Sequence, residues 1–197
     1  MVFEAPFSSG EGTGLRFLKK FMKNLLFLLI FISSFSFAQK VKVEKPFPLD
    51  FIGKWQGKLK WYSNGKFKTA FTMRLTVQPT DSAGKYTWQI VYGDDKKDNR
   101  PYFLRAIDTA KGHWVVDEDD GIKIDTYIAG NNAHSAFTVG NSTIVDNYSV
   151  SGNTMTVEFF TVLLKELTKS GLGTEDVPNV DSYKVVSFQK GELKKIE

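Results

Sequence analysis

The sequence contains no cysteine among its 197 residues. It therefore forms no disulfide, and it cannot carry a lipoprotein anchor, which requires a cysteine directly after the cleaved leader. Histidine is also scarce, with only His113 and His134 present. Spacing places no third ligand beside these two residues, so we expect them to be isolated side chains and not a metal site. The stability of the fold must then come from its core.

The chain also has a small net charge and lacks the common catalytic motifs. The chain has 26 basic and 22 acidic residues, of which residues 1–38 contain four and two. Residues 39–197 therefore carry 22 basic and 20 acidic side chains, a net charge of +2. This small charge gives no support for a nucleic-acid partner. The Gly-x-Ser-x-Gly, His-Glu-x-x-His, Walker and dinucleotide motifs are absent. We therefore predict that the chain is not an enzyme.

One long apolar run is present, "LLFLLIFI" at residues 25–32, and basic residues precede it. Small residues follow, with Ser36 and Ala38 at the −3 and −1 positions of a cleavage site. This pattern predicts the helix of a signal peptide cleaved after Ala38. Because a membrane span needs about 20 residues, we expect no transmembrane segment after cleavage and a periplasmic or extracellular location. An uncleaved N-terminal anchor is the alternative.

The same reading divides the chain. Met22 directly precedes a complete signal-peptide pattern, so we interpret residues 1–21 as an over-extended N-terminus, although Met1 remains a candidate start. Residues 22–38 are the signal peptide, 39–50 a linker and 51–197 a single domain.

Strict alternation dominates that domain. In "GKWQGKLKW", residues 53–61, tryptophan and leucine share one parity and lysine and glutamine the other, as in a strand with one dry face. Asn64-Gly65 then precedes a second alternating run, which predicts a hairpin over residues 52–78 with a type I′ turn. Similar runs separated by glycine-rich turns continue to the C-terminus and total ten strands. Only residues 163–179 were compatible with a helical turn or a long loop.

Ten sequential strands with tight turns predict an all-β fold, a single up-and-down antiparallel barrel, because closure removes exposed sheet edges. A two-sheet sandwich is the runner-up. A membrane-spanning barrel would need an apolar outer band, whereas the second parity here is rich in Lys, Thr, Asp and Gln.

The Gly53-x-Trp55 pair at the start of the first strand resembles the lipocalin and calycin signature, and "GKWQG" is similar to the start of nitrobindin-like ten-stranded barrels. The resemblance implies that Gly53 and Trp55 close one barrel end and that the interior binds small apolar ligands or haem. This chain lacks the late histidine through which nitrobindin-like barrels bind haem iron. We therefore expect neither haem nor another cofactor.

Inward aromatic side chains would line such an interior. Alternation predicts a ligand site formed by Trp88, Tyr92, Phe103, Arg105 and Phe159. Arg105 shares parity with Phe103 and Ile107, so an inward Arg105 would need an anionic partner. A ligand carboxylate and an internal acidic residue both remain open as that partner.

These observations predict an exported barrel that binds a small apolar or amphipathic ligand in its interior. Two alternatives remain, a filled barrel that acts as an envelope structural or interaction protein, and a small barrel isomerase or cyclase.

Overall fold

The computed structural model describes residues 46–93 and 97–196. The expected signal peptide, residues 22–38, lies outside the described residues, as do residues 1–21 and most of the expected linker. Within the described part of the chain, no helix is long and apolar enough to cross a membrane.

Ten antiparallel strands form a closed barrel in which each strand pairs with the next and β1 pairs with β10. The strands are β1 (Gly53–Ser63), β2 (Lys66–Val77), β3 (Lys85–Tyr92), β4 (Asp98–Asp108), β5 (His113–Asp117), β6 (Lys123–Ala129), β7 (Asn132–Val139), β8 (Ser142–Ser151), β9 (Thr154–Ser170) and β10 (Val180–Lys195). A short 3₁₀ turn, Thr109–Lys111, joins β4 to β5. The predicted all-β class, the strand count and the sequential order are confirmed, and closure excludes the two-sheet sandwich.

The first strand shows how alternation produces the barrel wall. Trp55 and Leu59 are fully buried, whereas Lys54, Lys58 and Lys60 on the other parity are exposed. Gly57 and Gly191 share the inward parity in β1 and β10. A Cβ at Gly57 would collide with the carbonyl of Glu192, and one at Gly191 with the carbonyl of Lys58. Glycine at these two positions therefore allows the two strands to approach closely where the barrel closes.

The first hairpin turn is confirmed as well. Asn64 and Gly65 both have positive φ, 48° and 74°, as a type I′ turn requires.

Residues 163–179 differ from the prediction of a helical turn or loop. β9 continues to Ser170, and β10 begins at Val180, so the two strands extend past their barrel neighbours as a two-stranded ribbon. β8 pairs with β9 only as far as Leu163, and β1 pairs with β10 only from Ser187. Register irregularities between Ser182 and Ser187 interrupt the period of two, which removes the sequence signal for a strand.

Large aromatic side chains fill one end of the barrel. We call Phe47, Phe51, Trp55, Trp88 and Trp114 the aromatic plug. Phe51 and Trp55 have no exposed surface, and the Trp55 indole donates a hydrogen bond to the Phe51 carbonyl at 2.7 Å. Phe47 packs edge-on against Phe51 and Trp114 with ring centroids 4.9 Å and 5.1 Å away. Residues 46–52 therefore cover this end of the barrel, and a ligand could enter only from elsewhere.

Candidate functional site: an amphipathic cavity at the open end

A cavity of about 520 Å³ lies at the barrel end opposite the aromatic plug. We call it the mouth cavity. Its walls combine apolar and polar side chains from seven strands, namely Phe71, Tyr92, Asp98, Arg100, Phe137, Ile144, Phe159, Thr161 and Gln189, together with Gly93. Drug-sized ligands occupy pockets of about 300–1,000 Å³ with mainly apolar walls and a few polar groups. The mouth cavity has the size and composition of such a pocket.

Arg100 places a permanent positive charge on this cavity. Its Nε donates to Asp98 Oδ1 at 2.8 Å, and its Nη2 donates to Asp98 Oδ2 at 3.2 Å. The guanidinium carbon also lies 4.9 Å from the centre of the Tyr92 ring, a cation–π arrangement. Hydrogen bonding to Asp98 raises the pKa of Arg100 further above its ordinary value. Since a guanidinium has five N–H donors, donors beyond the two on Asp98 can serve an anionic group in the cavity.

A smaller space of about 80 Å³, the inner chamber, adjoins the mouth cavity and shares Tyr92, Arg100, Phe137 and Phe159 with it. Its wall includes Arg100, Glu118 and a group of three polar residues on adjacent strands, Thr126, Ser135 and Asp146, which we call the polar trio. Thr126 Oγ1 lies 2.9 Å from Ser135 Oγ. The Ser135 N–H donates to Asp146 Oδ1 at 3.0 Å. The barrel interior therefore contains a hydrogen-bonded polar patch below its aromatic entrance.

Burial changes the acidity of the groups around this chamber. Burial raises the pKa of Asp146 to about 6, although hydrogen bonds from Ser135 lower this pKa and so offset part of the effect. Burial also raises the pKa of Tyr92 to about 12, and that of Tyr148 well above its ordinary value. Burial and the nearby Glu118 raise the pKa of Tyr102. The phenols therefore stay protonated at neutral pH, and Asp146 is the group of this set that titrates near it.

Three of the five predicted ligand residues face the interior. Tyr92 and Phe159 line the mouth cavity, and Trp88, an almost fully buried member of the aromatic plug, lines the inner chamber. Gly53 and Trp55 lie at the plugged end, where Gly53 has a φ of 142° that disfavours other residues.

The prediction that Phe103 and Arg105 face the interior is wrong. Cross-strand pairing places Leu104 opposite Tyr86 and Tyr102 opposite Trp88, so it is Tyr102 and Leu104 that point inward from β4. Phe103 lies on the outer face beneath the Lys85 ammonium, which is 3.7 Å from its ring centre. Both parities of β4 contain apolar side chains, so alternation in this strand alone could not choose between them.

Arg105 has an acidic partner on that outer face. Its Nε donates to Asp117 Oδ2 at 2.6 Å, and Asp117 is almost fully covered. The Asp119 N–H also donates to Asp117, and these contacts together lower the pKa of Asp117. Of the two partners left open by the sequence, the acidic residue is therefore the one observed.

The histidines do not converge. His113 Nε2 lies 2.7 Å from Asp125 Oδ1, and its ring stacks on Tyr127, whereas His134 is exposed. Among the described residues, no group of three or more His, Asp or Glu side chains could hold a metal ion.

Sequence reasoning missed Arg100 and the polar trio. A signal existed for Asp146, because Ile144, Asp146, Tyr148 and Val150 share one parity of β8. A signal existed for Arg100 too, since antiparallel pairing of β3 with β4 places it opposite the inward Ile90. The signal for Asp146 lies within one strand, whereas that for Arg100 depends on the register between strands, which alternation within one strand does not supply.

Comparisons with known proteins support the fold alone. No known family matches the sequence, and no curated protein matches it. A crystal structure of a protein of unknown function from the DUF3598 family of Nostoc punctiforme is similar, with a TM-score of 0.54 and 10% sequence identity. The match covers 75% of this chain and 48% of the other, so this chain spans about half the length of that protein.

Proposed function

We propose that this protein is a lipocalin-like binding protein whose mouth cavity holds a small amphipathic molecule with an anionic head group. The observation that carries the proposal is a cavity of about 520 Å³ with Arg100 on its wall and aromatic rings around it. A guanidinium recognises carboxylates through paired, charge-assisted hydrogen bonds. Phe71, Phe137 and Phe159 supply the apolar surface that an alkyl or aromatic tail would cover.

The open cavity favours binding over the filled-barrel alternative, since a structural barrel has no need of a space this large. The dimensions also favour binding over catalysis. Asp146, the inward group with a pKa near neutrality, lies on a chamber of only about 80 Å³. A space of this size admits one small polar group of a bound molecule and not a whole drug-sized substrate.

Calorimetric titration of the folded protein with dodecanoate tests the proposal, and Arg100→Met and Arg105→Met form a matched pair. Both variants remove a guanidinium from β4, one inside the mouth cavity and one on the outer face. We expect Arg100→Met to weaken binding about tenfold, because hydrogen bonds to charged groups contribute about 1.5–3 kcal/mol. Arg105→Met should bind as the wild type does. Equal affinities in all three proteins, or no binding in any, would contradict the proposal.

Asp98 provides a second test, in which the substitution should strengthen binding instead of weakening it. Its carboxylate occupies part of the Arg100 fork and repels a second anion. Asp98→Asn should therefore strengthen binding of dodecanoate and leave binding of the uncharged dodecanol unchanged. Weaker binding of dodecanoate by this variant would show that Arg100 is not the anion-recognising group.

The signal-peptide pattern supports a location outside the cytoplasm for this binding protein. Protein isolated from the periplasm or the medium of its host should begin at Gln39, and N-terminal sequencing measures this directly. Retention of residues 22–38 on the folded protein would favour the anchored alternative.

A further inference from the structure

The polar trio has no role in binding the anionic head group. It lies on the inner chamber, whose remaining wall includes Ile90, Val116, Ile124, Phe137 and Tyr148. Thr126 and Ser135 are almost fully buried, at 2% and 6% exposure. Buried polar groups are costly unless they have partners, and these three residues are hydrogen-bonded to one another.

Asp146 retains hydrogen-bonding capacity toward the chamber. A carboxylate has about four acceptor positions, and Ser135 occupies two of them, through its N–H and its hydroxyl. The space beside it, about 80 Å³, has room for a hydroxymethyl group or a few water molecules. A bound tail that is apolar throughout would leave this acceptor unmatched, whereas a tail that carries a hydroxyl would donate to it.

The wall of the chamber bears on the choice between a hydroxyl and an ammonium group. Arg100 and Glu118 both line the inner chamber and carry opposite charges, so the choice depends on desolvation, and burying an ammonium costs more than burying a neutral hydroxyl. The Ser135 and Thr126 hydroxyls can each accept from or donate to a neutral O–H. A neutral hydroxyl therefore matches the three residues better than a charged amine.

On the basis of the proposed function, we propose that Thr126, Ser135 and Asp146 form a second subsite that receives a hydroxyl group of the bound molecule. The ligand class is thereby narrowed to hydroxylated organic acids, with the carboxylate at Arg100 and the hydroxyl at Asp146. An unsubstituted fatty acid fills the same cavity but leaves the polar trio without its partner.

The test compares matched acids. Hexanoate, octanoate and dodecanoate are titrated by calorimetry, each beside its ω-hydroxy derivative, so that the three chain lengths present the hydroxyl at three depths. We expect at least one hydroxy acid to bind about tenfold more tightly than its parent, the effect of one hydrogen bond to a charged acceptor. In Asp146→Asn this preference should fall to near parity, while the parent acid binds as before.

Glu158→Gln is the control, since Glu158 lies on the outer face of neighbouring β9 and pairs with Lys190 at 2.8 Å. It should keep the full preference for the hydroxy acid. If Asp146→Asn fails to fold, Asp146→Ser removes the same carboxylate and supplies the same comparison.

The outcomes separate the two proposals. If the parent acids bind in a way that depends on Arg100 but no hydroxy acid is preferred, the hydroxyl subsite is overturned and the proposed binding function stands. A preference that persists in Asp146→Asn also overturns the subsite. Absence of binding for every acid overturns the proposed function itself.

Discussion

The two ends of the barrel follow the same alternation and yet have opposite interiors. At the plugged end, inward strand positions hold Trp55, Trp88 and Trp114, and Phe47 and Phe51 of the segment before β1 cover them. At the open end, inward positions hold Arg100, Thr161 and Gln189 among smaller or more separated rings, and a cavity remains. Alternation therefore determines which side chains point inward, and their volume and polarity determine whether the interior is filled.

The largest expected effect comes from removing the plug. Trp55→Ala should lower the free energy of unfolding by about 3–5 kcal/mol, because it leaves a cavity among fully buried rings and an unpaired Phe51 carbonyl. Trp61→Ala is the matched change at the open end of the same strand. Trp61 is only partly buried and bonds to Ser187, so about 1–2 kcal/mol is expected. Chemical denaturation measures both, and equal losses would show that the two ends are not distinct.

The polar trio lies between the two ends and should show a pH dependence. Because burial raises the pKa of Asp146 from 3.8 to about 6, the folded protein binds more protons than the unfolded chain between these values. Stability attributable to Asp146 is therefore present at low pH and is lost as pH rises through about 6. At about 1.4 kcal/mol per pKa unit, the loss approaches about 3 kcal/mol.

Asp146→Asn removes this contribution. The difference in free energy of unfolding between wild type and variant, measured from about pH 4 to about pH 8, should shift in favour of the variant as pH rises. The pKa values of Asp117 and Glu158 are lowered by their partners, so their contributions to stability rise with pH instead of falling. Both residues are present in wild type and variant, so their contributions cancel in the difference. A difference that does not vary with pH would show that Asp146 titrates normally.

The smallest expected effect on stability is at the entrance. Arg100 and Asp98 are both about half exposed, and such pairs contribute roughly 0–1 kcal/mol. Arg100→Met should therefore leave the denaturation midpoint nearly unchanged while it weakens dodecanoate binding. A loss comparable to that of Trp55→Ala would assign Arg100 to the fold and not to the ligand.

More of the fold than of the candidate site could be predicted from the sequence. Turn residues such as Asn64-Gly65 and alternating runs such as that around Trp55 are local signals. Ten such runs, separated by turns, are enough to predict the order of the strands. The site depends on how strands pair. Phe103 and Arg105 were assigned to the wrong face because β4 has apolar residues on both parities, whereas its pairing with β3 places Arg100, Tyr102 and Leu104 inside. Neither Arg100 nor Asp146 could be placed in one cavity before that register was known.

Closure of the barrel has a consequence for how the chain folds. Nine of the ten pairings join consecutive strands, whereas β1 and β10 meet across nearly the whole described chain. Their contact incurs the largest loop-closure entropy, so we expect it to form last. Until β10 pairs with them, β1 and β9 have unpaired edges. The glycine pair Gly57 and Gly191 lies on this final seam, so a larger side chain there would slow the last step of folding more than the assembly of any earlier hairpin.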